Sequence, residues 1–239
     1  MIEQFPVIIT VRDRLTPLME LLTWLDSVGQ REVWLCDNAS TFPPMVEFLK
    51  TTSHQVMYNN FNLGHRAPWL SGLVPELGTD RHFIVTDPDV VPIKECPKDV
   101  LPLFKRTLEQ NPDIDKVGFS LKIDDLPDHY RHKENVITWE GQFWIDQFSS
   151  RFFRAPIDTT FAMYRPGSRH ENGKALRSAP PCAARHTPWY QDSRHPTEEE
   201  QYYATHADSL ISNWNGRTLP ANVQAKLRNL RKSMKPTKE

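Results

Sequence analysis

The first part of the chain alternates short apolar runs with amphipathic segments. Short, nearly all-apolar runs predict strands at residues 7–10, 33–36, 55–58 and 82–86, the first of them buried. The segments between them predict helices at residues 16–29, capped by Thr16 with Pro17 in the first turn, at 43–49 and at 66–73. This rhythm predicts an α/β fold with a mostly parallel central sheet and helices on both faces.

The second part of the chain is less regular. We predict a helix at residues 98–109, strands at 117–121 and 159–164, an aromatic-rich stretch at 139–153, and loops at 124–135, 167–181 and 190–197. The C-terminal segment from Arg217 is basic, with a weak helical stripe made by Val223, Leu227 and Leu230.

Composition narrows the classes of partner. Aromatic residues make up 10% of the chain, which argues against disorder, and the net charge of −1 creates no global field that would recruit nucleic acid. The basic tail carries no interleaved aromatics, so we expect it to pack on the domain or to contact a membrane surface or a partner. Nucleic acid is not an expected partner.

The compartment follows from the termini and the cysteines. We expect neither a signal peptide nor a transmembrane helix, because no apolar run approaches the required length. Cys36, Cys96 and Cys182 show no metal-binding spacing and are interpreted as buried free thiols, with a structural disulfide as the alternative. These features predict a cytoplasmic protein.

Polar clusters follow each predicted strand of the first part. They are residues 12–13, 37–38, 60–66 and 87–89. In parallel sheets, ligands bind beyond the carboxyl ends of the strands. We therefore expect these clusters to form one pocket.

Asp87-Pro88-Asp89 at the end of the fourth strand has two interpretations. Paired carboxylates can bind a hard cation such as Mg²⁺ or Mn²⁺, which would neutralise a diphosphate. Asp and Pro are also common in plain turns. The tripeptide alone leaves both open.

The combined pattern resembles family 2-type glycosyltransferases with the GT-A fold. The resemblance rests on residues 6–13 (PVIITVRD), 34–41 (WLCDNAST), 60–66 (NFNLGHR) and 84–89 (IVTDPD), and it extends more loosely over residues 5–215. It implies one GT-A domain at 1–216, with a nucleotide-sugar-binding half at 1–92 and an acceptor-binding half at 93–216, followed by the basic tail at 217–239.

The resemblance also implies donor contacts. Thr10, Arg12 and Asp37 would hold the nucleoside, while Asn62 and Gly64 would face the ribose and donor sugar, with Asp87 near the ribose. Arg66 would meet the phosphates at a helix start. Without the resemblance, Asp37 is a good turn and cap residue, and Arg66 a solvated surface residue.

The implied metal is Mn²⁺ or Mg²⁺, held by Asp87, Asp89 and a histidine from a late segment. His186, in the segment AARHTPWY, is the preferred third ligand, with His195 and His206 as reserves. The alternative for His186 is a packed or exposed side chain without a ligand.

Inversion, implied by the resemblance, requires a base that accepts the proton of the acceptor hydroxyl. Asp158 is the first candidate, because a lone carboxylate before an apolar strand is costly without a purpose. The second candidate base is Glu199, within the acidic run 198–200, and the third is Glu140. Glu199 could equally belong to the solvated first turn of a helix capped by Thr197.

Trp189 and Tyr190 are the candidate acceptor-binding aromatics, since sugars stack on aromatic rings; the alternative is that they belong to the core. The predicted function is transfer of a hexosyl or deoxyhexosyl group from a nucleotide-sugar, with uridine as the expected base, to a saccharide or glycoconjugate. Two alternatives stay open: a sugar-nucleotide nucleotidyltransferase, although residues 11–14 lack its glycines, and a non-catalytic saccharide-binding module.

Overall fold

The computed structural model describes residues 2–158, 160–169, 172–207, 214 and 216–233. The helices are α1 (Leu15–Ser27), α2 (Pro43–Thr51), α3 (Ala67–Leu70), α4 (Leu73–Leu77), α5 (Val100–Gln110), α6 (Lys133–Gly141), α7 (Glu198–His206) and α8 (Ala221–Ser233). The strands are β1 (Val7–Val11), β2 (Val33–Asp37), β3 (Gln55–Tyr58), β4 (Phe83–Thr86), β5 (Val90–Pro92), β6 (Lys116–Gly118), β7 (Ser120–Leu121), β8 (Gln147–Ser149), β9 (Phe152–Arg154), β10 (Ala162–Tyr164), β11 (Ala175–Ser178) and β12 (Ala183–His186).

Two sheets organise the described residues. Nine strands form the large sheet in the order β3-β2-β1-β4-β10-β6-β11-β9-β8, and three form a small sheet in the order β5-β12-β7. All strands of the large sheet run in one direction except β9 and β10. The predicted α/β class with a mostly parallel central sheet is confirmed.

Alternating side chains of β1 pack on opposite faces of the large sheet. Val7, Ile9 and Val11 share a buried cluster with residues of α1, α2 and α5. Ile8 belongs to a second cluster formed with α3 and α4. A strand buried on both faces reads as a continuous apolar run, which is why β1 was predictable.

Several predicted boundaries in the second part were wrong. The predicted strand 117–121 splits at Phe119, where the chain leaves the large sheet for the small one. Residues 167–181 are not all loop, since β11 lies within them and is buried throughout. Helix α6 begins inside the predicted loop 124–135. Thr159, at the start of the predicted strand 159–164, lies outside the described residues.

Two predicted helices also differ from the structure. The segment 66–73 is broken by Gly72, whose φ of +91° does not suit a helix, into α3 and α4. Helix α1 begins at Leu15, and no side chain of its own N-terminus caps it. Thr16 is therefore not its cap.

Helix α8 packs against the domain. Val223 and Leu227 form a small buried cluster with Leu219, and Trp139 and Trp214 pack against it. The predicted packing of the basic segment on the domain is therefore confirmed for this helix. Among the described residues, no helix is both long and apolar enough to span a membrane.

Candidate functional site

The Asp87-Pro88-Asp89 segment is a turn through which the chain passes from the large sheet to the small one. Strand β4 ends at Thr86 in the large sheet, and β5 starts at Val90 in the small one. Val90 pairs with His186 in the β5–β12 ladder, and the N–H of Thr187 donates to the carbonyl of Asp89 at 2.9 Å. This register brings Asp89 beside His186, although the two are far apart in sequence.

The carboxylate of Asp89 lies between two nitrogen atoms. Its Oδ2 is 3.7 Å from His186 Nε2 and 3.6 Å from Arg14 Nε. Arg14 and Asp89 are each 7% exposed. Burial lowers the pKa of His186, as does Arg14, while Asp89 opposes the shift. The imidazole is therefore neutral near pH 7, the form that can coordinate a metal.

Several buried polar atoms around Asp89 lack a hydrogen-bond partner in the part of the chain that the structure describes. They are Arg14 Nε, His186 Nδ1, Thr187 Oγ1 and Trp189 Nε1. Buried polar groups are nearly always paired, so such a group usually marks a water, ion or ligand position. This concentration singles out the β12 end of the small sheet as a candidate site.

Helix α7 covers this site from outside. The ring of Tyr203 lies under the Arg14 guanidinium, with 3.8 Å from its carbon to the ring centroid. Glu199 Oε1 accepts hydrogen bonds from the backbone N–H groups of Leu15 and Thr16, the latter at 3.0 Å. Glu199 is thus the N-terminal cap of α1, and it links α7 to the start of α1.

The predicted nucleoside-binding residues gather at the ends of β1 and β2. Thr10 pairs with Cys36 across the two strands, and Arg12 Nη1 donates to the carbonyl of Asn38 at 2.9 Å. Asp37 is buried and accepts from the N–H of Ser40 at 3.1 Å. Burial raises the pKa of Asp37, and Arg12 partly opposes that shift.

The loop that contains Asn62 and Gly64 is fastened to the end of β2. Asn38 Nδ2 donates to Asn62 Oδ1 at 2.6 Å and to the carbonyl of Gly64 at 3.1 Å. Gly64 has a φ of +67°, which only glycine adopts at little cost. Arg66 follows and is exposed. The predicted strand-end clusters 12–13, 37–38 and 60–66 are therefore linked by direct contacts, and the fourth cluster, 87–89, contacts Arg14 through Asp89.

The three candidate bases have different surroundings. Glu140 is buried in an ion pair with Arg177, with Oε2 2.7 Å from Nη1. Glu199 is occupied as the cap of α1. Asp158 is exposed and lies just before β10. Because β10 runs antiparallel to β4, the start of β10 lies at the edge of the sheet where β4 ends, and Asp158 precedes that start.

The two candidate acceptor aromatics differ as well. Trp189 is 3% exposed and packs on His186 at 4.6 Å between ring centroids. It belongs to the core, so its prediction as a stacking surface was wrong. Tyr190 is half-buried, donates to Asp125 Oδ1 at 2.6 Å and lines a cleft of about 530 Å³ together with Arg185 and residues 198–200.

The fit of a metal ion can be judged from these contacts. Among the described residues, no three His, Cys, Asp or Glu side chains are placed to hold a metal ion by themselves. Asp87 therefore does not join Asp89 and His186 in a three-ligand cluster. Mg²⁺-type sites commonly use one or two carboxylates and take their other ligands from substrate phosphates and water. Asp89 with the neutral His186 fits such a partial site.

Arg14 and Tyr203 were not predicted as site residues. Arg14 belongs to the polar end of β1 and could have been included with Arg12 on that ground. Tyr203 lies four residues after Glu199, so both share one face of α7. Only the docking of α7 onto α1 reveals their role.

Comparisons with known proteins give limited information. No protein-family model matches the chain, and no curated protein matches it. The structure is similar to that of glucosyl-3-phosphoglycerate synthase from Mycobacterium tuberculosis, solved in complex with Mn²⁺, uridine diphosphate and glucosyl-3-phosphoglycerate. The identity is 11% and the TM-score 0.40, with 66% of this chain and 56% of that chain covered. The match thus spans little more than half of that enzyme.

Proposed function

We propose that this protein is a metal-dependent glycosyltransferase that moves a sugar from a nucleoside diphosphate, with uridine as the expected base, to a saccharide hydroxyl. The observation that carries the proposal is the meeting of Asp89, His186 and Arg14 at one sheet edge, beside buried polar atoms without partners. The ends of β1 and β2 lie at the same edge, because β4 is parallel to β1.

Each end of the donor has candidate contacts. Asp37 would accept from the base, with Thr10 and Arg12 beside it, while Asn62 and Gly64 would face the sugar. Arg14 and Arg66 would supply positive charge to the phosphates. Asp89 and His186 would hold Mn²⁺ or Mg²⁺, with Asp87 near the ribose or a metal-bound water. The cation, when bound, would stabilise the charge on the departing diphosphate.

Asp158 is the proposed base. Its two rivals are engaged, Glu140 with Arg177 and Glu199 with the N-terminus of α1. An exposed carboxylate beside the end of β4 can approach an acceptor hydroxyl and take its proton. Transfer would then proceed with inversion, and Tyr190, which lines the cleft with Arg185 and residues 198–200, would contact the acceptor saccharide.

A turnover assay tests the proposal. The protein is incubated with a panel of nucleotide-sugars and Mn²⁺, or with chelator, and the released nucleoside diphosphate is measured. We expect release from at least one donor, its loss with chelator, and a loss of at least about 100-fold in Asp89→Asn. Asp80→Asn removes an exposed carboxylate just before β4 and serves as the matched control. If no donor is turned over in a metal-dependent way, the proposal is wrong.

A further inference from the structure

Cys96 and Cys182 lie at the same end of the ladder that carries the candidate site. Cys96 follows β5, and Cys182 immediately precedes β12. Next to them, the N–H of Ile93 donates to the carbonyl of Ala183 at 3.0 Å, which extends the antiparallel pairing toward the two cysteines. Both are buried free thiols.

Local backbone contacts fix each cysteine in place. The N–H of Cys96 donates to the carbonyl of Ile93, and that of Cys182 to the carbonyl of Ala179, each at 3.0 Å. The two thiols lie close enough to interact, and this interaction together with burial raises the pKa of Cys96.

Cys36 offers an internal comparison. It lies on β2, is 0% exposed, and has Ser71 and Asn59 as side-chain neighbours. Burial raises the pKa of its thiol. It has no cysteine beside it among the residues that the structure describes, so an oxidant should leave it unchanged.

We propose that Cys96 and Cys182 form a reversible disulfide when the protein meets a peroxide. One of the two cysteines attacks a peroxide oxygen as the thiolate, which forms a sulfenic acid and releases water or an alcohol. The sulfur of the other cysteine then attacks the sulfenic acid sulfur and displaces water. In total the two thiols lose two electrons and two protons, and the peroxide is reduced.

The disulfide would close the end of the β5–β12 ladder opposite to the candidate site. Asp89 directly precedes β5, and His186 is the last residue of β12. A crosslink between residues 96 and 182 also restricts the unfolded chain, which stabilises the folded state. Oxidation should therefore raise the midpoint of thermal unfolding, and a reductant should reverse the change.

Peptide mapping of the full chain tests the proposal directly. The protein is treated with hydrogen peroxide, remaining thiols are alkylated in denaturant, and trypsin is added. Cleavage at the neighbouring Lys and Arg residues places the three cysteines in separate peptides, 95–98 (ECPK), 178–185 (SAPPCAAR) and 32–50. We expect a linked 95–98/178–185 pair that reductant separates, with Cys36 alkylated.

Cys182→Ser provides the control. In this variant we expect no linked peptide and no rise in the unfolding midpoint on oxidation, whereas the wild-type protein shows both. The proposal is overturned if all three thiols of the oxidised wild-type protein are alkylated, if the crosslink involves Cys36, or if each thiol is oxidised separately without a crosslink.

Discussion

Replacing Glu199 with alanine removes the only acceptor seen, within the described residues, for the first N–H groups of α1. Glu199 Oε1 accepts from the backbone of Leu15 and of Thr16, across more than 180 residues of sequence. Loss of an N-cap costs about 0.5–2 kcal/mol, and here two charge-assisted hydrogen bonds disappear. Since both donors can gain water, we expect a loss of about 1–2 kcal/mol.

Thermal unfolding measures this loss. For a domain of this size, about 1 kcal/mol lowers the unfolding midpoint by roughly 2–4 °C, so Glu199→Ala should unfold about 2–8 °C lower. Glu198→Ala removes an exposed carboxylate from the same helical turn, and its effect should stay within about 0.5 kcal/mol. Equal midpoints for the two variants would refute the capping role of Glu199.

Three further changes test other parts of the structure. Asp158→Asn should abolish sugar transfer, measured in a steady-state assay, and leave the affinity for the donor near normal, measured in a binding assay. Unchanged transfer would exclude Asp158 as the base. Glu140→Gln leaves Arg177 buried without its counter-charge, so we expect the free energy of unfolding, measured in urea, to fall by about 3–5 kcal/mol. The double variant Glu140→Gln/Arg177→Met removes the unpaired charge and should recover part of this loss. An unchanged free energy of unfolding in Glu140→Gln would contradict this expectation. Burial lowers the pKa of His82 in the folded protein, so the unfolded state binds the proton more tightly. The free energy of unfolding should therefore fall as the pH drops through about 6.5, the pKa of histidine in the unfolded chain. His82→Gln should lose less stability between about pH 7.5 and 5.5 than the wild-type protein, and an equal loss would count against this cause.

The first part of the fold was predictable because its strands are buried on both faces. Val7–Val11 and Phe83–Thr86 read as continuous apolar runs, and their order with the helices indicated a parallel sheet. Strand β11 was missed because it buries Arg177, and the buried partner that makes this tolerable, Glu140, lies in a distant helix. No local pattern carries that information.

In the candidate site, too, some residues were predictable from local sequence and others depend on long-range contacts. Asp89 followed from its place after an apolar strand, and His186 from the resemblance of its segment. The roles of Arg14 and Glu199 depend on α7 packing against the start of α1, a long-range contact that sequence spacing does not report. Trp189 was assigned to the acceptor because it adjoins polar residues, yet its ring fills the space beside His186.

Calorimetric titration of nucleoside diphosphates tests the central claim most directly. We predict that at least one of uridine, guanosine and adenosine diphosphate binds in the presence of Mn²⁺. Chelator or Asp89→Asn should weaken that binding at least tenfold, which corresponds to about 1.4 kcal/mol, while Asp80→Asn should leave it unchanged. Failure of all three to bind, or binding that neither chelator nor Asp89→Asn alters, would contradict a metal-assisted nucleotide-sugar site at Asp89.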